Sequence, residues 1–149
     1  EQRVFLAEED VSDAIRTQDI SIAASNVSAV PEVRAFLFDL QRDLAKKNHV
    51  VMDGRDIGTV VLPNAQVKIF LTASPEERAQ RRYLELREKG LEAEYDQVLT
   101  ELKQRDYDDS HRAVAPLVPA EDAIMVDSTG LTREQAFQRL LRTVQDKIS

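Results

Sequence analysis

The apolar positions of this chain change their period several times, and each change marks an element. From Arg3 to Arg16 they alternate around Val4, Leu6, Val11 and Ile15, with an acidic turn at Glu8 to Asp10, which predicts a short hairpin or ribbon. Ile20 to Val30, rich in Ala and Ser, has spacing suited to a short helix. Pro31 opens a second helix in which Val33, Leu37, Leu40 and Leu44 recur four, three and four apart, predicting one buried stripe. Past Lys46 and Lys47 come three short apolar runs, Val50 to Met52, Val67 to Leu71 and Ile124 to Val126. Runs so short, rich in branched residues and separated by helices, read as buried parallel strands. Ser74-Pro75 with Glu77, and Thr132 with Gln135, carry the capping-box signature of helix starts. A further helix spans about Glu94 to Asp109. Strands alternating with capped helices imply an α/β sheet with right-handed crossovers. There is no internal repeat, low-complexity tract or Ser/Gly linker.

Composition narrows the class. At 149 residues, with 42% hydrophobic and 32% charged residues, the chain suits one core, or one core with a small appendage. No apolar run approaches the ~20 residues of a membrane span, so no membrane association is expected. A net charge of −7 gives no broad positive field, which argues against nucleic acid as a partner. The absence of cysteine excludes a disulfide framework and thiolate metal sites, and nothing at the start resembles a signal segment, so a cytoplasmic location is expected. The chain opens at Glu1, without Met and inside an apparent strand, as part of a longer product would. The basic residues divide into 14 Arg and 6 Lys. Arg offers the rigid fork that fits phosphate and carboxylate, so the bias points toward an anionic substrate.

Ligands of such sheets bind beyond the carboxyl ends of the strands, which directs attention to Asp53, Gly54, Arg55 and Asp56. An apolar run ending in Asp is how nucleoside triphosphatases present a carboxylate to magnesium or its waters, yet Asp-Gly is also ordinary turn chemistry. Arg55 and Asp56 together could read a phosphate and a donor group on one ligand. In the helix from Glu94, the stripe Tyr95, Val98 and Leu102 continues by threes and fours to Arg105, Asp109 and Arg112. These three line a cleft, or else form a self-paired surface turn where the helix frays. Arg78, Arg81 and Arg82 share a helix face, around an anion or paired with Glu77 and Glu85. Arg34, beside Val33, says little alone, and His49 and His111 lack ligand-spaced partners and read as structural. The chain contains neither a Gly-x-Ser-x-Gly elbow nor a GxxxxGK(S/T) phosphate loop, and its glycines stand at 54, 58, 90 and 130.

The segment DGRDIGTVVLP (Asp53 to Pro63) resembles the bacterial cytidylate kinases. The likeness continues through KIFLTASPEERAQRR (Lys68 to Arg82), RDYDDSHRAVAPL (Arg105 to Leu117) and VDSTGLT (Val126 to Thr132), and covers essentially the whole chain in order. It implies the P-loop nucleoside monophosphate kinase fold, here an incomplete parallel sheet flanked by helices, with monophosphate-binding and lid elements. The implied divisions are 1–48 for monophosphate binding, 49–74 for core, 75–112 for lid and substrate helices, and 113–149 for the carboxyl-terminal core. The implied activity is transfer of the γ-phosphoryl group of ATP to CMP or dCMP with Mg2+, by an enzyme that is a monomer when complete. The resemblance places Ser25, Arg34, Arg55, Asp56, Arg105, Asp109 and Arg112 on the acceptor nucleotide, and Arg78 and Arg82 on ATP. Arg55, Arg82, Arg105 and Arg112 would serve catalysis, and Asp53 would approach magnesium through water. The family's amino-terminal portion, with its P-loop, lysine and first strand, has no counterpart in these residues, so this chain alone is expected to be inactive without it. A non-catalytic nucleotide-binding module, or a kinase for another monophosphate, is the competing expectation.

Overall fold

The computed structural model describes residues 3–28 and 30–149 and, within the first long helix, every side chain except those of Gln18, Ser21, Ile22 and Ser25. The chain divides into two units, residues 1–50 and 51–149.

In the first unit the expected hairpin is present. Strands β1 (Phe5–Leu6) and β2 (Glu9–Asp10) pair antiparallel, turning through Ala7 at φ 54°. Asp10 Oδ1 accepts from Ser12 Oγ at 2.6 Å, Ser12 Oγ accepts from the Val4 amide at 2.9 Å, and Arg3 reaches Asp10 Oδ2 at 2.9 Å. Helices α1 (Gln18–Ser28) and α2 (Pro31–Lys47) follow, the second opening at Pro31 as its spacing requires. One expectation fails here. Val33 is half-buried but Leu37, Leu40 and Leu44 are exposed, so the α2 stripe is not the buried one its spacing predicts: periodicity puts residues on one face, and burial needs another element to cover that face.

Where the first unit gives way to the second, Val50 to Met52 does not form the expected strand, and Val51 stands fully exposed. The run has no strand neighbour among the described residues, and three apolar residues cannot hold extended structure without a ladder. The segment then tightens into one π-helical turn, Ile57–Val61, closed by Leu62 N–H donating to Ile57 O at 2.7 Å. Gly54 is required by close approach, since a Cβ there would stand 2.8 Å from Ile57 Cγ1. Gly58 lies over the stem of Lys68, whose ammonium pairs with Asp122 at 2.8 Å.

Strands β3 (Ile69–Thr72) and β4 (Ile124–Asp127) pair parallel in register Ile69↔Ile124 to Thr72↔Asp127. Helices α3 (Pro75–Glu88) and α4 (Tyr95–His111) fill the crossover between them, and α5 (Arg133–Ile148) closes the chain. Ser74 accepts from the Glu77 amide at 3.2 Å, while Thr132 and Gln135 form the complete reciprocal box. Helices α3 and α4 form an antiparallel pair, because Glu76 meets Lys103 at 2.9 Å, Arg78 meets Asp106, and Tyr83 packs edge-on against Tyr95. Val61, Ala73, Ala79 and Val126 are the buried apolar residues among those described, so the core sits where the sheet, the π turn and α3 meet. Leu71 and Met125 remain about half exposed, on a sheet type that is ordinarily covered on both faces. The second unit is thus a small parallel sheet flanked by helices, in agreement with the expected incomplete α/β sheet.

Candidate functional site

The carboxyl ends of β3 and β4 carry the polar machinery of the second unit. Ser128, itself buried, donates both its amide (2.8 Å) and its hydroxyl (3.0 Å) to Thr72 O, so the ladder ends in a doubly satisfied carbonyl. The Ser74 amide donates to Thr129 Oγ1 at 2.9 Å, and Asp127 Oδ1 accepts from the amide (2.8 Å) and hydroxyl (2.6 Å) of Thr129. Those bonds hold the Asp127 carboxyl below the usual carboxylate range.

Two arginines of α3, Arg78 and Arg81, reach this end of the sheet. Arg78 Nε donates to Ala73 O at 3.0 Å, and its terminal nitrogens grip both oxygens of Asp106 at 3.0 and 2.6 Å. That geometry is the bidentate fork at which Arg excels. Arg82 pairs with Glu85 at 2.9 Å, and Glu85 also takes Lys89 at 2.6 Å; the lysine first and the arginine second push the Glu85 carboxyl down. Arg81 pairs with Glu77 at 3.0 Å and spans to the loop after β4. The three arginines therefore each hold a different carboxylate, which relieves the repulsion their spacing implies.

The turn at Asp53 to Asp56 meets α4 where Arg55 Nε donates to Asp109 Oδ2 at 2.7 Å. The Asp109 side chain is 13% exposed and that of Arg55 44% exposed. The Asp109 carbonyl also receives the Leu117 amide at 2.8 Å, and Arg112 Nε donates to Ala115 O at 2.6 Å, so the segment from Arg112 to Leu117 folds back on the end of α4. Ala115 turns this loop at φ 49°. Asp56 is half-buried, and its carbonyl accepts the amides of Val60 and Val61 at 2.9 and 3.2 Å.

The spacing argument succeeds at Asp109 and Arg112 and misses by one residue at Arg105. The inward line of α4 runs Tyr95, Val98, Leu102, Asp106 and Asp109, so the half-buried ionisable group after Leu102 is Asp106, while Arg105 is exposed. Taking the step after Leu102 as four instead of three would have found it. Arg34 lies in the first unit, half-buried on α2, and the side chain of Ser25 lies outside the described residues. Asp53 is exposed. No group of three or more His, Cys, Asp or Glu stands at metal-binding distance among the described residues. His111 stacks on Tyr107 with ring centres 4.0 Å apart, and its Nδ1–H donates to the Tyr107 carbonyl at 2.8 Å. No helix of the described residues is long and apolar enough to cross a membrane.

Comparison with known proteins places these features. The Cytidylate kinase family model matches residues 1–146. The chain is 57% identical over 140 residues to a cytidylate kinase of Caldicellulosiruptor saccharolyticus, covering 94% of this chain and 62% of that protein. It is 51% identical over 148 residues to the Pasteurella multocida cytidylate kinase (99% and 65%), and 53% identical over 146 residues to that of an Enterobacter species (98% and 64%). The chain thus spans a little under two-thirds of the length of these relatives.

Proposed function

The chain belongs to the cytidylate kinase family, and on that premise we propose that it forms the acceptor-binding and lid portion of an enzyme that transfers the γ-phosphoryl group of ATP to CMP or dCMP. The observation that carries this reading is the Arg55–Asp109 contact, which ties the DGRD turn to the α4 end bearing Arg112. Oriented guanidinium groups at the carboxyl end of a parallel sheet suit phosphate, and phosphoryl transfer depends on positioning and charge neutralisation more than on covalent help.

On this reading Arg55, Arg105 and Arg112 neutralise the acceptor phosphate, and Ser25 and Arg34 of the first unit also serve the monophosphate. Arg78 and Arg82 meet ATP, Arg78 at the adenine and Arg82 at the phosphates. Asp56 and Asp109 accept from the cytosine amine or the ribose hydroxyls. Uracil presents an acceptor in place of that amine, would leave a carboxylate unpaired, and is disfavoured. Magnesium keeps several waters and needs only one or two carboxylates, so the exposed Asp53 fits a water-mediated contact with it. The ATP triphosphate cradle is a Gly-rich loop that these 149 residues do not contain.

Titration calorimetry with CMP, dCMP and UMP tests the acceptor assignment. CMP and dCMP should bind at least about tenfold more tightly than UMP, and Arg55→Ala or Arg105→Ala should weaken CMP by about tenfold or more while changing ATP by less than about twofold. Equal effects on CMP and ATP would remove the assignment, and equal affinity for CMP and UMP would favour a kinase of another monophosphate.

A further inference from the structure

The three α3 arginines differ in what they hold. Arg78 and Arg82 contact carboxylates and one neighbouring carbonyl, whereas Arg81, besides its carboxylate, makes three bonds to the loop after β4, two of them to backbone carbonyls. Its Nη2 donates to Ser128 O at 2.8 Å and Leu131 O at 3.3 Å, its Nη1 to Ser128 Oγ at 3.3 Å, and its Nε to Glu77 Oε1 at 3.1 Å. With four hydrogen bonds already made to protein acceptors, the guanidinium keeps no open fork for a phosphate.

Its partners are themselves fixed. Ser128 is bonded twice to the last carbonyl of β3, and the neighbouring Thr129 holds the amide of Ser74, the residue that caps α3. The guanidinium therefore completes a closed circuit from β3 to the loop after β4, across to α3, and back to the end of β3. A planar fork can address oxygens of two residues at once, which a lysine ammonium, a point donor on a flexible stem, cannot do in the same geometry.

We propose that Arg81 is a positioning residue that buckles α3 to the loop Ser128 to Leu131 and thereby fixes how α3 presents Arg78 and Arg82, three residues before it and one after. The inference rests on the reading that those two arginines meet ATP. Arg81 does not touch the nucleotide; it sets the angle of the helix that does.

Arg81→Gln and Arg81→Lys test it, with ATP plus magnesium chloride and CMP titrated separately by calorimetry into a protein in which the family's amino-terminal P-loop portion precedes these 149 residues, and the folded fraction checked by circular dichroism. Arg81→Gln should weaken ATP by about tenfold and leave CMP within about twofold, with Arg81→Lys in between. Hydrogen exchange at the Ser128 and Leu131 amides should quicken in the same order. Arg81→Lys equal to the unaltered chain, or equal weakening of ATP and CMP by Arg81→Gln, would overturn the proposal. If the unaltered P-loop-containing protein takes CMP but no ATP, this proposal is overturned and the acceptor assignment stands; if it takes neither, both are overturned.

Discussion

Asp109→Ala removes the acceptor on α4 that holds Arg55 of the DGRD turn. A hydrogen bond to a charged group contributes roughly 1.5–3 kcal/mol when withdrawn from water. Here the carboxylate is 13% and the arginine 44% exposed, so solvent screens part of it, and about 1–2 kcal/mol is expected. The Leu117 amide bonds to the Asp109 carbonyl and survives truncation of the side chain, so the loss is confined to the ion pair. A double-mutant cycle of Asp109→Ala with Arg55→Ala isolates the term. The assay is urea unfolding followed by tyrosine fluorescence: the three tyrosines, Tyr83, Tyr95 and Tyr107, all lie in the second unit and the chain has no tryptophan, so the signal reports that unit alone. A coupling energy of about 1 kcal/mol is expected. Additivity to within about 0.3 kcal/mol would mean that the two groups do not meet in solution, and the site built on their contact would fall with it.

Val126→Ala, at 2% exposure the most enclosed large side chain of the sheet, should cost about 2 kcal/mol from lost burial and the cavity left, read as a lower urea midpoint; an unchanged midpoint would relocate the core. Thr132→Ala breaks the capping box of α5 and should cost about 1 kcal/mol by the same assay, with lost helicity in circular dichroism; a neutral result would mean that α5 does not depend on its cap. Asp127 is pulled down by Thr129, Glu76 by Lys103, and Glu85 by Lys89 and then Arg82. A lowered native pKa means that the unfolded chain binds more protons between the two values. Their stabilisation is therefore complete above the unfolded pKa of about 4 and disappears as pH falls through the native values. Stability should be flat from about pH 7 to 5 and decline below, and Thr129→Val should make that decline shallower; an identical acid slope would refute the role of the Thr129 hydroxyl.

Much of the fold was legible because its signals are local. Proline after Ser74 and before Glu32, the two cap sequences, and short branched runs at Ile69 and Ile124 act through hydrogen bonds and sterics within a few residues, and these elements form where the pattern places them. Burial is not local. The apolar stripe of α2 and the run at Val50 carry the right spacing, yet their exposure depends on whether another element arrives to cover them, which no period encodes.

The candidate site divides along the same line. By itself the sequence determined the residue types, the helices and turns that carry them, and, through the DGRD and RD-x-x-D-x-x-R segments, the family. Only the tertiary structure decided which charge meets which: Arg55 with Asp109 across 54 positions, Arg78 with Asp106 across 28, and Arg81 with the loop after β4 across 47. Ion pairs select partners by distance and desolvation after the elements have packed, so one residue of helical phase was enough to exchange Arg105 for Asp106 on the inward face of α4.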